Sequence, residues 1–378
     1  MGARRLGPVP RRRPMSAELA DLAGRVVPVL AFLIAITVVA EIADAAGVFD
    51  VAAHWAARAG RQRVWVLWLL VVAIACVSTI VLSLDTTAVL LTPVAITVAR
   101  QVGVATLPFA MTTLWLANTA SLLLPVSNLT NLLALHRLGQ LGVGQLGYLR
   151  LAWAPALAAI VATVLLLALR HRRALTGRYA LESSPETHDR TLLVVASVCC
   201  IALGPAFVAG LTPWIPSAAA AAILVGTVLV RDRTLLRRVS VPWQMVIGVS
   251  VLFVVVDVAI NHGLRELLTS LVGAGTGAGA LLRVGGVGLL SANAVNNLPA
   301  YLALESVSSD APVRLFALLI GVNVGPLITV WGSLATLLWR QRCRAAEVTV
   351  STAYLAREGL VCAVVASAAA LGALVLVR

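Results

Sequence analysis

The sequence predicts an all-α polytopic membrane protein that contains two inverted repeats, each with a re-entrant helical hairpin and a broken transmembrane helix. Its 378 residues are 60% hydrophobic and only 12% charged, which is more apolar surface than a soluble core of this length can bury. Polar motifs interrupt the apolar sequence in the same order in both halves. Lipid is therefore the expected solvent for most of the chain.

Several apolar stretches approach or exceed the roughly 20 residues that a helix needs to cross a bilayer. A secretory signal peptide does not account for so many of them. With the two hairpins re-entrant, the chain is predicted to cross the membrane eight times. The spans outside the polar motifs are residues 26–46, 151–169, 191–211, 217–230, 242–260 and 353–377.

Four segments are predicted along the chain. Residues 1–25 form a disordered tail, because they are rich in Arg and Pro and show little apolar pattern. Residues 26–170 form the first transport repeat, and residues 191–378 form the second. Between them, residues 171–190 are the longest strongly polar interval inside the chain, which is typical of a linker. This linker is predicted to be cytoplasmic.

Short polar motifs recur between the two halves, at offsets of 208 and 205 residues that nearly agree. An apolar span that ends in an acid precedes them in each half, at Asp44 and Asp257. Matches that keep one order indicate duplication of a structural unit. The matched motifs are residues 83–87 with 291–295, and residues 118–129 with 323–334.

The matched motifs place Ser, Thr, Asn, Gly or Pro in the middle of apolar sequence, where they interrupt helices and free backbone amides and carbonyls. Such groups are tolerated at membrane depth only around a cavity or a protein-lined site. Residues 64–99 and 281–307 are therefore predicted to be hairpins with polar tips. Residues 108–135 and 313–339 are predicted to be helices broken at mid-membrane.

The net charge of +13 arises from Arg alone, because the chain has no Lys. Outside the tail, most of these Arg residues lie in short loops, which indicates membrane topology and argues against nucleic-acid binding. One face collects 17 Arg residues and the other six. The positive-inside rule makes the richer face cytoplasmic and places the tail outside a bacterial inner membrane. The Arg-rich segments are residues 58–63, 100, 170–190, 231–238 and 340–357.

The sequence contains no motif typical of an enzyme, a metal-binding protein or a disulfide-stabilised protein. The five cysteines are scattered without a CxxC spacing, which argues against a disulfide framework or a metal site. No HExxH, GxSxG, GxGD or nucleotide-binding motif is present. We therefore expect a protein that is not an enzyme and that needs no cofactor.

Four motifs resemble those of the arsenite permeases in their order and spacing. These permeases belong to the ion transporter superfamily, which also contains citrate and divalent-anion/sodium symporters with substrate and sodium at paired hairpin tips. The resemblance extends from about residue 26 to the carboxyl terminus, although arsenite permeases often carry Asp at the positions of Asn118 and Asn323. The motifs are LSLDTTAVLLTP at 82–93, ANTAS with PVSNL at 117–129, NNLP at 296–299 and GSLATLLW at 332–339.

The resemblance implies an arsenite and antimonite efflux permease that works by alternating access with proton coupling. Relatives also suggest an added cytoplasmic ATPase subunit and a homodimer as partners, beside membrane lipid. The alternative is a sodium-coupled symporter for dicarboxylates or citrate-like anions, because helix N-termini at the breaks favour negative charge. Sodium dependence of uptake separates the two hypotheses.

Neutral arsenite requires hydroxyl, amide and carbonyl partners. Asp85 is the one acid inside a matched motif, and we expect it to carry the coupling proton; otherwise its carboxylate satisfies amides of the hairpin tip. The other polar groups are expected to line the substrate site, with interhelical packing as the alternative for the asparagines. These residues are Ser83, Thr86, Thr87, Asn118, Ser127, Asn128, Asn293, Asn296, Asn297, Asn323 and Ser333.

Overall fold

The computed structural model describes residues 15–180, 189–209, 211–237 and 258–378, together with residues 243, 247, 248, 251, 255 and 256. The predicted tail up to residue 14, the centre of the linker and most of the predicted span at 242–260 lie outside these residues. Asp257, which the sequence pairs with Asp44, also lies outside them. The described part of the chain is helical apart from turns and one isolated bridge between Arg63 and Arg178.

The first half of the chain begins with a helix that starts earlier than the sequence predicts. Helix α1 begins at Met15, inside the stretch predicted to be a disordered tail. Ala, Leu and Glu are frequent after residue 15 and favour a helix, whereas the Arg and Pro residues that suggest disorder concentrate before it. The helices are α1 (Met15–Ala45), α2 (Val48–Ala59), α3 (Val64–Val81), α4 (Leu84–Thr86), α5 (Thr92–Gln101), α6 (Thr106–Thr119), α7 (Leu129–Gln140) and α8 (Gln145–His171).

The second half of the chain, like the first, contains long apolar helices and shorter helices that are interrupted by polar motifs. Helix α16 packs along α8 of the first half, and α12 packs along α14. The helices are α9 (Arg190–Val208), α10 (Trp214–Arg231), α11 (Arg265–Val272), α12 (Ala278–Val295), α13 (Asn297–Ser308), α14 (Pro312–Val324), α15 (Leu334–Ala345) and α16 (Thr352–Val377).

Six helices among the described residues are long and apolar enough to cross a membrane, and α1 with α2 forms a bent pair that would make seven. Two of the six, α3 and α12, are the first arms of the hairpins that the sequence predicts. Many large apolar side chains on these helices face outward, as Ile201 does with 73% of its surface exposed. Such a surface is suited to lipid, not to water.

The chain breaks its helices at four polar positions. Between α3 and α4 the break lies at Ser83, and between α12 and α13 it lies at Asn296. Both residues have a positive φ, 148° and 119°, a conformation that is rare for residues other than Gly and that concentrates at functional sites. The other two breaks separate α6 from α7, where short 3₁₀ turns intervene, and α14 from α15.

The break between α12 and α13 lies at a different position from the one that the sequence match predicts. Residues 291–295 were aligned with 83–87, yet α12 remains helical through Ser291 and ends at Val295. The NNLP motif accounts for the difference, because Pro299 is favoured in the first turn of a helix and Asn tolerates a positive φ immediately before it. The break therefore lies at Asn296, five residues after the expected start of the match.

Contacts connect the five Arg-rich segments that the sequence assigns to one face, the last of them through Glu358, which directly follows it. Each pair joins segments that are distant in the chain, so these loops lie at the same end of the helices. The contacts are the Arg63 to Arg178 bridge, an Arg231 to Asp189 ion pair at 2.9 Å, a hydrogen bond from Arg170 Nε to Glu358 Oε2 at 2.6 Å, and one from Arg100 to the Ala346 carbonyl oxygen.

A buried arginine, Arg314, holds together the loop before α12 and the loop after α13. Arg314 is only 1% exposed, and it donates hydrogen bonds to the carbonyl oxygens of Gly273 and Gly275 at 2.6 and 2.7 Å. Its Nε also lies 2.7 Å from Asp310 Oδ1. The beginning of α12 and the end of α13 are therefore held together by the first turn of α14.

Candidate functional site

Four helices begin in the polar motifs, and each is capped by the side chain of the residue that precedes it. The four caps accept backbone hydrogen bonds at 3.2 Å and satisfy amides that a helix start leaves without an intrahelical partner. Two caps are Ser and two are Asn. They are Ser83 before α4, Asn128 before α7, Asn296 before α13 and Ser333 before α15.

The two serine caps share one further detail. Ser83 Oγ lies 3.0 Å from Thr86 Oγ1, and Ser333 Oγ lies 3.0 Å from Thr336 Oγ1. In both cases the capping hydroxyl also accepts the backbone amide of that threonine. The same local structure therefore occurs once in each half of the chain.

Two cavities meet at these helix starts. The larger one, of about 820 Å³, is lined by Ser83, Asp85, Thr86 and Asn128, together with apolar residues and the charged Glu41 and Arg342. The smaller one, of about 250 Å³, is lined by Asp85, Asn128, Asn296 and Asn297. Asp85 and Asn128 line both, so they connect the break at Ser83 and the break between α6 and α7 to the break at Asn296.

Asp85 is the only acid that lines both cavities within the described part of the chain. It lies in the short helix α4, and its Oδ1 atom is buried without a hydrogen bond to any described residue. A buried carboxylate oxygen without a partner is unfavourable by several kcal/mol. Binding a proton or a ligand at this oxygen would remove that penalty.

The structure divides the residues that the sequence selected for the site into two sets. Half of the set lines the cavities, while the remainder is buried, and four of these six buried side chains bond to another helix or loop. The cavity residues are Ser83, Asp85, Thr86, Asn128, Asn296 and Asn297, and the buried residues are Thr87, Asn118, Ser127, Asn293, Asn323 and Ser333.

Asn323 connects α14 to the break between α6 and α7. Its Oδ1 accepts hydrogen bonds from Asn128 Nδ2 at 3.0 Å and from Thr130 Oγ1 at 2.7 Å, and its Nδ2 donates to Asn131 Oδ1 at 2.5 Å. Asn323 is fully buried. The second half of the chain therefore fixes the position of Asn128, which lines both cavities.

We expect Asn323→Ala to lower the melting temperature of the purified protein and to impair transport. The substitution leaves the polar groups of Asn128, Thr130 and Asn131 buried with fewer partners, at about 1–3 kcal/mol for each unsatisfied group. Thermal unfolding in detergent measures this effect.

Asn118→Ala is the matched control, because the sequence match pairs Asn118 with Asn323. The Asn118 side chain makes one hydrogen bond among the described residues, from its Nδ2 to the Leu114 carbonyl oxygen of its own helix. The control should therefore unfold at a temperature close to that of the unmodified protein. Equal destabilisation by the two variants would contradict the linking role of Asn323.

Asn293 holds the irregular segment that follows α14. Its Nδ2 donates to the Gly325 carbonyl oxygen at 2.9 Å, and its Oδ1 accepts from the backbone amides of Ile328 and Thr329, both at 3.1 Å. The indole of Trp331 also donates to the Asn293 carbonyl oxygen at 2.9 Å. A side chain of α12 thus supplies the hydrogen bonds that the backbone of the second broken helix lacks.

Thr87 and Ser127 tie the first set of breaks to α3. Thr87 donates to Ser78 Oγ and accepts from Thr79 Oγ1, both at 2.9 Å. Ser127 donates to the Ile80 carbonyl oxygen at 2.8 Å. These contacts satisfy polar groups near the end of α3 and keep the Ser83 break beside Asn128.

The sequence analysis missed several residues of this region. Thr130 and Asn131 complete the Asn323 network, and Glu41 and Arg342 line the larger cavity. Thr130 and Asn131 could have been found from the sequence, because they are polar residues inside apolar sequence and directly follow the motif that ends at residue 129. Glu41 lies near the end of a predicted span, where an acid is expected to reach interfacial water, and the sequence carries no signal that would bring it near Arg342.

Comparison with known proteins agrees with these features. The model of the citrate transporter family matches residues 14–321. The arsenical pump membrane protein of Escherichia coli is 31% identical over 360 residues, which cover 88% of this chain and 82% of the relative. Proteins of the same name from Shigella flexneri and Yersinia enterocolitica are 30% and 29% identical, again over 88% of this chain and 82% of the relative.

The comparisons confirm the resemblance to the arsenite permease group, and the apolar helices agree with a multi-pass protein of the bacterial inner membrane. The family model extends from the first half of the chain into α14 of the second half, and it includes the helix breaks at Ser83, between α6 and α7, and at Asn296. This chain therefore belongs to the citrate transporter family, as a membrane transporter related to the arsenical pump membrane proteins.

Proposed function

We propose that the chain exports arsenite and antimonite by alternating access with proton coupling. The observation that carries this proposal is the pair of cavities at four capped helix starts, where hydroxyls and amides accompany Asp85, the one acid among the described residues that lines both cavities. No described residue that lines either cavity is a cysteine. The site therefore offers reversible hydrogen bonds, not the tight thiolate ligation that would slow the release of trivalent arsenic.

Neutral arsenite suits these groups because its hydroxyls both donate and accept hydrogen bonds. Asn296 and Asn297 of the second hairpin line the smaller cavity together with Asp85 and Asn128. Amide side chains supply donors and acceptors without fixed charge. Asp85 then takes the coupling proton, and its change of charge makes binding of the proton and of the substrate interdependent.

We further propose that the two halves are inverted repeats with re-entrant hairpins. Contacts at the ends of the hairpins support this arrangement. The first hairpin begins beside the linker, where the Val64 amide donates a hydrogen bond to the Gly177 carbonyl oxygen at 3.3 Å. It ends near Arg100, whose guanidinium donates to the Ala346 carbonyl oxygen in another Arg-rich segment. The ends of the second hairpin are instead joined to each other through Arg314. Opposite entry of the two tips gives a site that can open to either side.

The sodium-coupled anion symporter remains the second candidate, and one observation favours it. Four helix N-termini meet at the cavities, and their amides and dipoles favour negative charge. Asp85 opposes this preference when it is ionised, because it places a carboxylate in the same cavities. A neutral substrate avoids that repulsion, so we place arsenite first.

The proposed function predicts restored growth of an arsenite-sensitive bacterial host that lacks its own exporter. Cells that carry this chain should tolerate higher arsenite concentrations and accumulate less arsenic. Asn297→Ala should reduce the protection, because it removes an amide that lines the smaller cavity. The amount of each protein in the membrane is measured alongside growth.

The same strains distinguish the second candidate. Sodium-dependent uptake of radiolabelled citrate or succinate, without arsenite protection, would replace the proposed substrate with an anion. Unchanged arsenite sensitivity with the intact protein present in the membrane would refute arsenite export.

A further inference from the structure

A third cavity lies away from the proposed transport site, between the end of α15 and the beginning of α16. Its volume is about 570 Å³, and it lies on the Arg-rich face. None of the described residues that line it is acidic. The lining residues are Leu107, Trp339, Arg340, Cys343, Arg344, Val348, Thr349, Val350, Ser351 and Tyr354.

Two arginines give this cavity a positive wall. Arg340 and Arg344 are one helical turn apart on α15, so their side chains share a face. The Arg340 guanidinium donates to Thr352 Oγ1 at 3.0 Å. The Arg344 guanidinium has neither an ion pair nor a hydrogen bond with any residue that the structure describes. Two guanidinium groups side by side are suited to a phosphate group, which they bind through several N–H donors.

The acids nearest in the sequence do not neutralise this wall. Glu358 is buried and is occupied by Arg170 and Arg357, with Arg357 at 3.0 Å. Glu347, in the turn after α15, does not line the cavity. Thr349 and Ser351 also line the cavity and add neutral hydroxyl groups to it. The polar part of the cavity therefore favours an anion.

The remaining wall is apolar. Trp339 is buried, and its indole nitrogen is already bound to the Ala110 carbonyl oxygen at 2.7 Å, so it presents ring surface to the cavity. Leu107, Val348 and Val350 extend this surface. A free inorganic phosphate would not cover these groups, whereas the headgroup and upper chain of a phospholipid would.

We propose that this cavity binds a phosphate group through Arg340 and Arg344, and that the phosphate belongs to an anionic phospholipid of the cytoplasmic leaflet. The positive-inside rule assigns the Arg-rich face to that leaflet. Basic pockets between membrane helices on this side are typical sites for anionic headgroups. The bound lipid would join the α15–α16 connection to the membrane surface.

The test compares lipids on the purified full chain in detergent. Native mass spectrometry and thermal unfolding are measured with phosphatidylglycerol, with phosphatidylcholine and with inorganic phosphate. Both lipids carry the phosphate, but the choline cation of phosphatidylcholine is repelled by the two guanidinium groups, so phosphatidylglycerol should bind at least about tenfold more tightly. The double variant R340Q/R344Q should lose this preference, and R344Q alone should weaken it.

R172Q/R173Q is the control variant. It removes the same charge from exposed positions on the Arg-rich face, and it should keep the preference for phosphatidylglycerol. Equal loss in the two double variants would show a general charge effect and would overturn the proposal. Retention of the preference in R340Q/R344Q would also overturn it. Stabilisation by inorganic phosphate that exceeds the effect of phosphatidylglycerol would overturn the assignment to lipid.

Discussion

Asp85→Asn is expected to abolish proton-driven arsenite export while the protein remains folded. The substitution keeps the size and shape of the side chain but removes the group that gains and loses a proton. Asp85 is the acid that lines both cavities, so no other described residue occupies an equivalent place. Growth protection, and efflux of arsenite against its concentration gradient, should fall to the level of a host without the protein.

The fold of this variant should survive because nothing in the described structure depends on the Asp85 Oδ1 atom for a hydrogen bond. Replacing an unpartnered buried carboxylate by a neutral amide also reduces the desolvation penalty. The melting temperature should therefore stay unchanged or rise. A large fall would show that Asp85 serves mainly to stabilise the hairpin tip.

Proteoliposomes separate coupling from substrate binding. With an imposed pH gradient, the unmodified protein should accumulate arsenite, whereas Asp85→Asn should only equilibrate it down its own concentration gradient. Glu41→Gln is the matched control, because Glu41 lines the larger cavity but not the smaller one. The control should keep its response to the pH gradient. Full gradient-driven accumulation by Asp85→Asn would remove this residue from the coupling step.

The helix breaks could be predicted from local sequence to within a few residues. Residues 108–135 and 313–339 correspond closely to the pairs α6–α7 and α14–α15, because Pro, Gly, Ser and Asn inside apolar sequence disrupt helices wherever they occur. The break at Asn296 was displaced from the predicted position for a local reason as well. Small residues such as Ser291 and Ala292 are compatible with a helix, so α12 continues through them and ends before the NNLP motif.

The contacts between the halves could not be predicted in this way. Asn323 and Asn118 occupy matched positions, yet Asn323 joins three polar side chains and Asn118 bonds only within its own helix among the described residues. The difference depends on which helices pack together, and a repeat match contains no such information. For the same reason, the sequence listed cavity residues and helix-joining residues together as one site.

Gly321→Ala is expected to cause a large loss of stability, although it adds only one methyl group. A Cβ atom at Gly321 would lie 2.9 Å from the Leu289 amide nitrogen and closer still to the Gly285 carbonyl oxygen. Both obstacles are backbone atoms of α12, so no rotation of a side chain can relieve the overlap. The close approach of α14 to α12 through small residues is typical of helix packing in membranes.

Separation of these two helices would also displace the transport site. Helix α12 ends beside Asn296, and α14 carries Asn323, so a shift between them changes the distance from the second hairpin tip to Asn128. Overpacking of this kind destabilises by about 1–3 kcal/mol or more. We therefore expect a lower melting temperature and a loss of arsenite protection together.

Gly286→Ala is the matched control, because it lies on α12 and its added Cβ would meet nothing within 4 Å. Alanine also favours a helix over glycine by about 1 kcal/mol in an exposed position, so this variant should be as stable as the unmodified protein or slightly more stable. Thermal unfolding of both variants in detergent gives the comparison. If Gly321→Ala unfolded at the same temperature as Gly286→Ala, α12 and α14 would have to lie farther apart than described. The α12–α14 contact would then not set the distance between Asn296 and Asn128 in the site.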